Sequence, residues 1–509
     1  MIEVEVHNSL LCFLRSRGEA RWPHHLTMAR LVARALRLGR SALIQTSLPS
    51  HYHYSPYRVS YLLPLLMSPT PALLVIPEPL QRHLLEQQIP LLQEWVQIPK
   101  LIERGDRWPG DDFAGVLLTT PEAWFDDRLA KGKRFKAGIP TLIDGADNIE
   151  TWVRQQLTVS LHPGNWNELM EVSVDSRDIL REYRIQLTRS LFQRPQNPYE
   201  CYLLESLQEE ILQQLDETLK PFAHNPEQIP PSWPIFWQSW QQPQQLRWAE
   251  ISRALGSFSL YSAPLEVSSF LEDIWLQQPI VLIGGALDFD SKAPIYRETL
   301  GLPDLTCIKF NPDRQSELIQ LYLPDGVPMP NTPEFQKVLI QEIRTLLCMS
   351  ASVGGLIVII VGDVPLKAQL GAIFASEFGS RVQVEKTELS ENGILVTGWE
   401  FWRQHQGNLP TPHLCAIATL PLPSLENPLV AGRVAHYKAQ RKDWFRLYLL
   451  PKALNELQCA IAPLRESQGV VALFDNRVLH RTYGKQVLSA LSPYAKIDYL
   501  DTIWLTGDR

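Results

Sequence analysis

No lysine precedes Lys100, and no glycine falls between Gly39 and Gly105. Both absences bear on one chemistry. A phosphate-binding loop needs glycines, so that successive main-chain N–H groups can wrap an anion, and a lysine to neutralise it. Cysteine is equally sparse. The six, Cys12, Cys201, Cys307, Cys348, Cys415 and Cys459, contain no CxxC pair, which excludes a zinc ribbon or a compact iron–sulfur motif. Scattered single thiols fit a reducing compartment. Long apolar runs are missing too: Gly354–Gly362 (GGLIVIIVG) is half of a membrane span and reads as a buried strand. The opening MIEVEVHNSL has acids and no basic region leading into an apolar one, so it does not read as a signal peptide. The expectation is a cytoplasmic protein with no membrane partner. Positive charge is in deficit, at 48 Lys+Arg against 55 Asp+Glu and a net −7, so a nucleic-acid partner would require a local basic face.

What is present is ordinary for a globular chain: 45% hydrophobic and 20% charged over 509 residues, enough for roughly two to four domains. Thr27–Leu38 has Met28, Leu31, Val32, Ala35 and Leu36 at helical spacing, with Arg30, Arg34 and Arg37 turned away. Apolar strands are expected at Ser41–Thr46, Ala72–Ile76, Gly115–Thr119 and Pro140–Asp144, alternating with helical patterns. Such alternation indicates a parallel sheet covered on both faces. From about Asp175 to Ala254 the chain turns helical and rich in Gln and Trp, with a break at Asn225–Pro234; Ile280–Ile283 then returns to strand. A second series follows Asp304, with strands near Leu356–Val361, Gly393–Val396, Cys415–Ala418 and Val470–Phe474. The expected fold class is α/β: two tandem RecA-like lobes with parallel sheets, residues 1–303 and 304–509, and a helical insertion at about 165–265 in the first.

Short motifs in a fixed order strengthen this. Tyr61–Pro64 (YLLP), Pro421–Pro428 (PLPSLENP), Trp444–Leu457 (WFRLYLLPKALNEL), Gln458–Arg465 (QCAIAPLR), Gly469–Arg477 (GVVALFDNR) and Tyr483-Gly484-Lys485 occur in that sequence. Their order resembles the DinG-type helicases, relatives of XPD in superfamily 2, across nearly the whole chain. The resemblance implies ATP with magnesium as cofactors, and DNA as substrate. Against that pattern this chain departs at each catalytic element. SLPSHYHYSPYRVS stands where the family has its phosphate loop, leaving Thr46, Ser47 and Arg58 as the residues nearest to nucleotide-binding positions; Arg58 reads either as a phosphate contact or as a surface arginine. The aromatic cluster His51, Tyr52, His53, Tyr54 and Tyr57 is expected to pack over the old cleft.

In PTLIDGADNIE, Asp144 keeps the family's magnesium position, and its alternative reading is a helix N-cap. Gly145 stands at the general-base position and Asp147 at the histidine. Gly284–Leu287 (GGAL) replaces Ser-Ala-Thr-Leu. In QCAIAPLR, Ala462 stands at the family's arginine finger, while Gln458 and Arg465 keep the outer positions. No cysteine lies between Ser41 and Asp144, so no iron–sulfur cluster is expected.

Nucleic acid has candidate contacts of its own. Lys131, Lys133, Arg134 and Lys136 (KGKRFK), and the run Arg433, Lys438, Arg441, Lys442 and Arg446, read as phosphate contacts or as solvated surface. Trp402, Trp444 and Phe445 read as base-stacking residues or as core. Three functions stay open: a degenerate helicase that binds single-stranded DNA or RNA, or a repair or replication protein, without ATP-driven unwinding; a working ATP-dependent helicase with divergent motifs; and a protein-interaction scaffold.

Overall fold

The computed structural model describes residues 2–18, 22–48, 55–97, 100–173, 176–222, 229–312, 317–350 and 354–497. Eleven strands precede residue 310: β1 (Ala42–Gln45), β2 (Ala72–Val75), β3 (Ile102–Arg104), β4 (Val116–Thr119), β5 (Thr141–Asp144), β6 (Val159–Leu161), β7 (Cys201–Leu203), β8 (Gln245–Ser252), β9 (Ser257–Pro264), β10 (Ile280–Gly284) and β11 (Thr306–Lys309). Seven follow: β12 (Ile319–Tyr322), β13 (Leu356–Ile360), β14 (Val382–Val384), β15 (Ile394–Thr397), β16 (Pro412–Ile417), β17 (Val470–Leu473) and β18 (Tyr494–Ile497). The first sheet runs β11-β1-β10-β5-β2-β4-β3 and the second β14-β15-β13-β16-β17-β12-β18, each with every pair parallel. The central strands of both sheets are buried along their length, the apolar signature of strands covered on two faces.

Two expectations need revision. β11, which lies past the boundary drawn at Asp304, pairs with β1 in register Ala42↔Thr306, so the chain leaves the first sheet only after Lys309. The insertion holds the expected helices (Arg177–Phe192, Ser206–Leu219) but also the antiparallel sheet β6-β9-β8-β7. Period-two burial marks its hairpin on both faces: Phe258 and Leu260 of β9 turn to one side with Ala249 and Ile251, while Leu246 and Trp248 of β8 turn to the other with Ala263. The Gln- and Trp-rich composition masked that alternation. The helix Pro428–Ala439 of the second lobe lies against this sheet, with Leu429 joining the cluster of Cys201, Leu246, Trp248 and Ala263. No described helix is long and apolar enough to cross a membrane.

Candidate nucleotide site and lobe interface

In a parallel α/β sheet, ligands bind beyond the carboxyl ends of the strands. At that end of β1 the first two residues stay paired with β10. Thr46 N–H donates to the Gly284 carbonyl at 2.8 Å and Ser47 N–H to that of Gly285 at 3.0 Å, extending the pairing with β10. These are donors that a phosphate loop would turn toward an anion. The Thr46 hydroxyl also donates to the Gly284 and Leu48 carbonyls, and the Ser47 hydroxyl to that of Phe310.

The chain returns through a short turn, Pro56–Arg58, into the helix Val59–Met67. That helix (VSYLLPLLM) is apolar nearly all round and is buried from Ser60 to Leu66. Its entry brings three polar groups onto Asp144 at the end of β5. Tyr57 Oη donates to Oδ1 at 2.7 Å, Tyr61 Oη to Oδ2 at 2.8 Å, and Arg58 Nε to Oδ2 at 2.9 Å. Both side chains of the ion pair are 0% exposed. Burial works against the Arg58 charge, but Asp144 beside it outweighs burial and holds the guanidinium pKa above its ordinary value. Burial, reinforced by Asp144, raises Tyr57 and Tyr61 well above the usual phenol range, so both remain donors. Arg58 is therefore no surface arginine, and Asp144 is no N-cap. The remaining members of the aromatic cluster, His51 to Tyr54, lie outside the described residues.

The residues present do not fit a magnesium–nucleotide. Both Asp144 oxygens already accept from protein donors in a dry site, and the adjacent N–H groups are spent on β10. Gly145 adopts φ 99°, a left-handed conformation that a β-carbon-bearing residue such as glutamate takes only with strain. Asp147 accepts from Gly285 N–H at 2.9 Å and Ala286 N–H at 3.2 Å. The glycines of GGAL permit this approach, since a Cβ on Gly284 would stand 3.0 Å from an Asp147 carboxylate oxygen.

The motif at the other lobe is also turned to structural use. In the helix Leu450–Ser467, Ala462 is buried and Gln458 donates to the Ala490 carbonyl. The Arg465 guanidinium donates to the main-chain carbonyls of Glu317, Leu491, Ser492 and Pro493 at 2.8–3.3 Å, all within its own lobe. Trp402, proposed as a stacking residue, is 1% exposed and donates to the Ala460 carbonyl, which leaves no ring face for a base.

Between the lobes lies a cavity of about 230 Å³ lined by Asp147, Glu150, Arg433, Tyr448, Lys452 and Asn455 among others. Glu150, on the helix Ile149–Leu157, pairs with Arg433 across the interface and with Arg154 at 3.0 Å on its own helix; Lys452 Nζ is 3.8 Å away. Burial would raise Glu150, but Arg433, Lys452 and Arg154 together hold it well below the usual carboxylate range. The Arg433 guanidinium lies 4.2 Å over the Tyr448 ring, His436 contacts Glu266 at 2.9 Å, and Asn455 donates to the Ala286 carbonyl. The sequence reading found Arg433 only as a possible phosphate contact and missed Glu150; a carboxylate just after the β5 motif was the available signal.

The KGKRFK loop is elsewhere. It leads into β5 at its amino end, opposite Asp144, and so does not line the cleft. Arg134 pairs with Asp126 at 2.5 Å and Lys136 with Asp111 at 2.9 Å; Lys131 and Lys133 are exposed. Arg441 and Lys442 are exposed, with Lys442 3.5 Å from Glu298.

No known family profile matches the chain. It is 22% identical over 270 residues to the ATP-dependent DNA helicase YoaA of Escherichia coli (strain K12), a match taking in 50% of this chain and 41% of that protein. An XPD helicase structure superposes with TM-score 0.58 at 13% identity, covering 93% of this chain and 99% of that one. The S. tokodaii Xpd4 structure gives 0.57 at 12%, covering 93% and 100%. In sequence the chain is similar to a DNA helicase over half its length, spanning less than half of that relative, and its fold of two parallel-sheet lobes is similar to that of XPD helicases.

Proposed function

We propose that this is a helicase-fold protein that binds nucleic acid without ATP-driven unwinding. One observation carries the reading: Asp144, the carboxylate that would hold magnesium, is ligated on both oxygens by Arg58, Tyr57 and Tyr61. Phosphoryl transfer depends on positioning and charge neutralisation, so losing loop, base and finger removes separate parts of the barrier reduction. A missing finger alone costs on the order of a thousandfold in rate. Exposed Arg441 and Lys442, beside the lobe interface, supply backbone contacts for a single strand of DNA or RNA. A repair or replication protein is the second class of partner that this reading admits.

The test is ATP binding and steady-state ATPase activity with saturating single-stranded DNA or RNA. No turnover is expected, together with weak strand binding that falls steeply with salt. Turnover of about one per second, abolished by Asp144→Ala, would establish a working divergent helicase instead. Absence of any strand binding at low salt would favour the scaffold.

A further inference from the structure

From Ala20 to Pro77 the chain has no aspartate or glutamate, although the whole protein is acidic. The cations of this stretch concentrate on one helix, His25–Leu38. Its apolar face, Met28, Ala29, Val32, Ala35 and Leu36, is buried in the first lobe. Arg30, Arg34 and Arg37 follow at i, i+4 and i+7 on the opposite face, and Arg40 continues past the Gly39 cap; all four are exposed. Arg37 is paired with Glu3 at 2.6 Å. Arg30, Arg34 and Arg40 have no acidic partner among the described residues.

The stripe ends where the chain enters β1 at its amino end. Lys131 and Lys133 belong to a loop packed on the other face of the sheet, where Phe135 joins Leu43, Leu73 and Ile143, so they lie apart from the stripe. Arg30 to Arg37 spans about 10 Å at the helical rise, the length over which one strand of a duplex presents about three phosphates. The helix carries no aromatic residue, so the surface has nothing on which unpaired bases would stack. What it offers is a row of guanidinium groups suited to phosphate oxygens.

We propose that this basic face of the first lobe, centred on Arg30, Arg34 and Arg40, binds the phosphate backbone of double-stranded nucleic acid. It is a different surface from the lobe interface and needs no nucleotide. It also stands independently of the single-strand reading above.

The experiment is anisotropy titration of a short labelled duplex of random sequence over a salt series. The full chain is compared with Arg30→Ala/Arg34→Ala/Arg40→Ala, with the corresponding lysine triple variant, and with Arg441→Ala/Lys442→Ala. The alanine triple variant is expected to weaken duplex binding about tenfold at low salt and to flatten the log–log salt slope by about two to three. The lysine triple variant should retain most of the affinity, and Arg441→Ala/Lys442→Ala should affect single-strand binding alone. Unchanged duplex affinity in the alanine triple variant overturns the proposal, as does a parent chain that binds anionic phospholipid vesicles but no duplex. The substituted side chains are exposed, so unaltered melting of each variant shows that the fold is intact.

Discussion

Two carboxylates, the buried Asp144 at the end of β5 and the half-buried Glu150 on the helix that follows, are held in opposite ways. Asp144 is held by Tyr57, Arg58 and Tyr61 of its own lobe, from one turn and one helix. Glu150 reaches across to Arg433 of the other lobe. A carboxylate closed off inside one lobe has no oxygen left for an ion or a ligand. One that pairs across an interface helps to set how the lobes sit. The difference separates two properties of the architecture: at the strand end a carboxylate is closed by side chains of its own lobe, and at the interface a carboxylate joins the two lobes.

The largest expected effect is at the closed site. Arg58→Ala leaves the Asp144 charge buried without its cation, a loss of about 3–5 kcal/mol, read as a lower urea midpoint. Arg58→Ala/Asp144→Asn should recover part of that loss, because the uncompensated charge is gone. If the two changes simply add, the pair is not coupled and the contrast with Glu150 fails.

At the interface the expected effect is smaller, because Glu150 is 18% exposed and its cations retain other contacts. Glu150→Gln should cost about 1–2 kcal/mol and separate the unfolding of the two lobes in a thermal melt. Its folded pKa is held low, so its stabilising contribution is complete above the unfolded value of about 4.3 and declines as pH falls below it. Acid sensitivity of lobe–lobe contact should therefore weaken in Glu150→Gln. Equal acid sensitivity in both proteins would assign the interface to other groups.

Much of this was legible in residues alone, and the division is physical. The central strands β1, β2, β4, β5, β10, β13, β15, β16 and β17 were found because buried parallel strands are continuous apolar runs. Short edge strands such as β3 and β14 were missed, and so was the β8–β9 hairpin, where apolar residues on both faces blur the alternation. At the site, the missing glycines and lysine and the substitutions at Gly145 and Ala462 needed only a reading of residue types. What replaced them did not follow from sequence. Nothing in SPYRVSY announces that Tyr57, Arg58 and Tyr61 converge on one carboxylate, because that convergence depends on β5 lying two strands from β1. Arg465 likewise keeps a motif position while its guanidinium serves four carbonyls.

Asp147 lies between the two carboxylates in sequence and should give the smallest effect. It is half-buried, and its oxygens accept main-chain N–H groups of Gly285 and Ala286. Asparagine keeps one acceptor oxygen of nearly the same shape and loses the charge and the second oxygen. Hydrogen bonds to a charged acceptor are worth more than neutral ones, so Asp147→Asn should cost about 1 kcal/mol. Asp147→Ala removes both acceptors and leaves two N–H groups at the end of β10 to find water, which should roughly double that loss. Neither change should alter duplex binding, because neither touches the basic helix His25–Leu38. Chemical denaturation of the two variants beside Glu150→Gln gives the order. If Asp147→Asn destabilised the protein as much as Arg58→Ala, the carboxylate would be part of the same buried charge system as Asp144, and the division between a closed site and a spanning contact would have to be redrawn with Asp147 on the closed side.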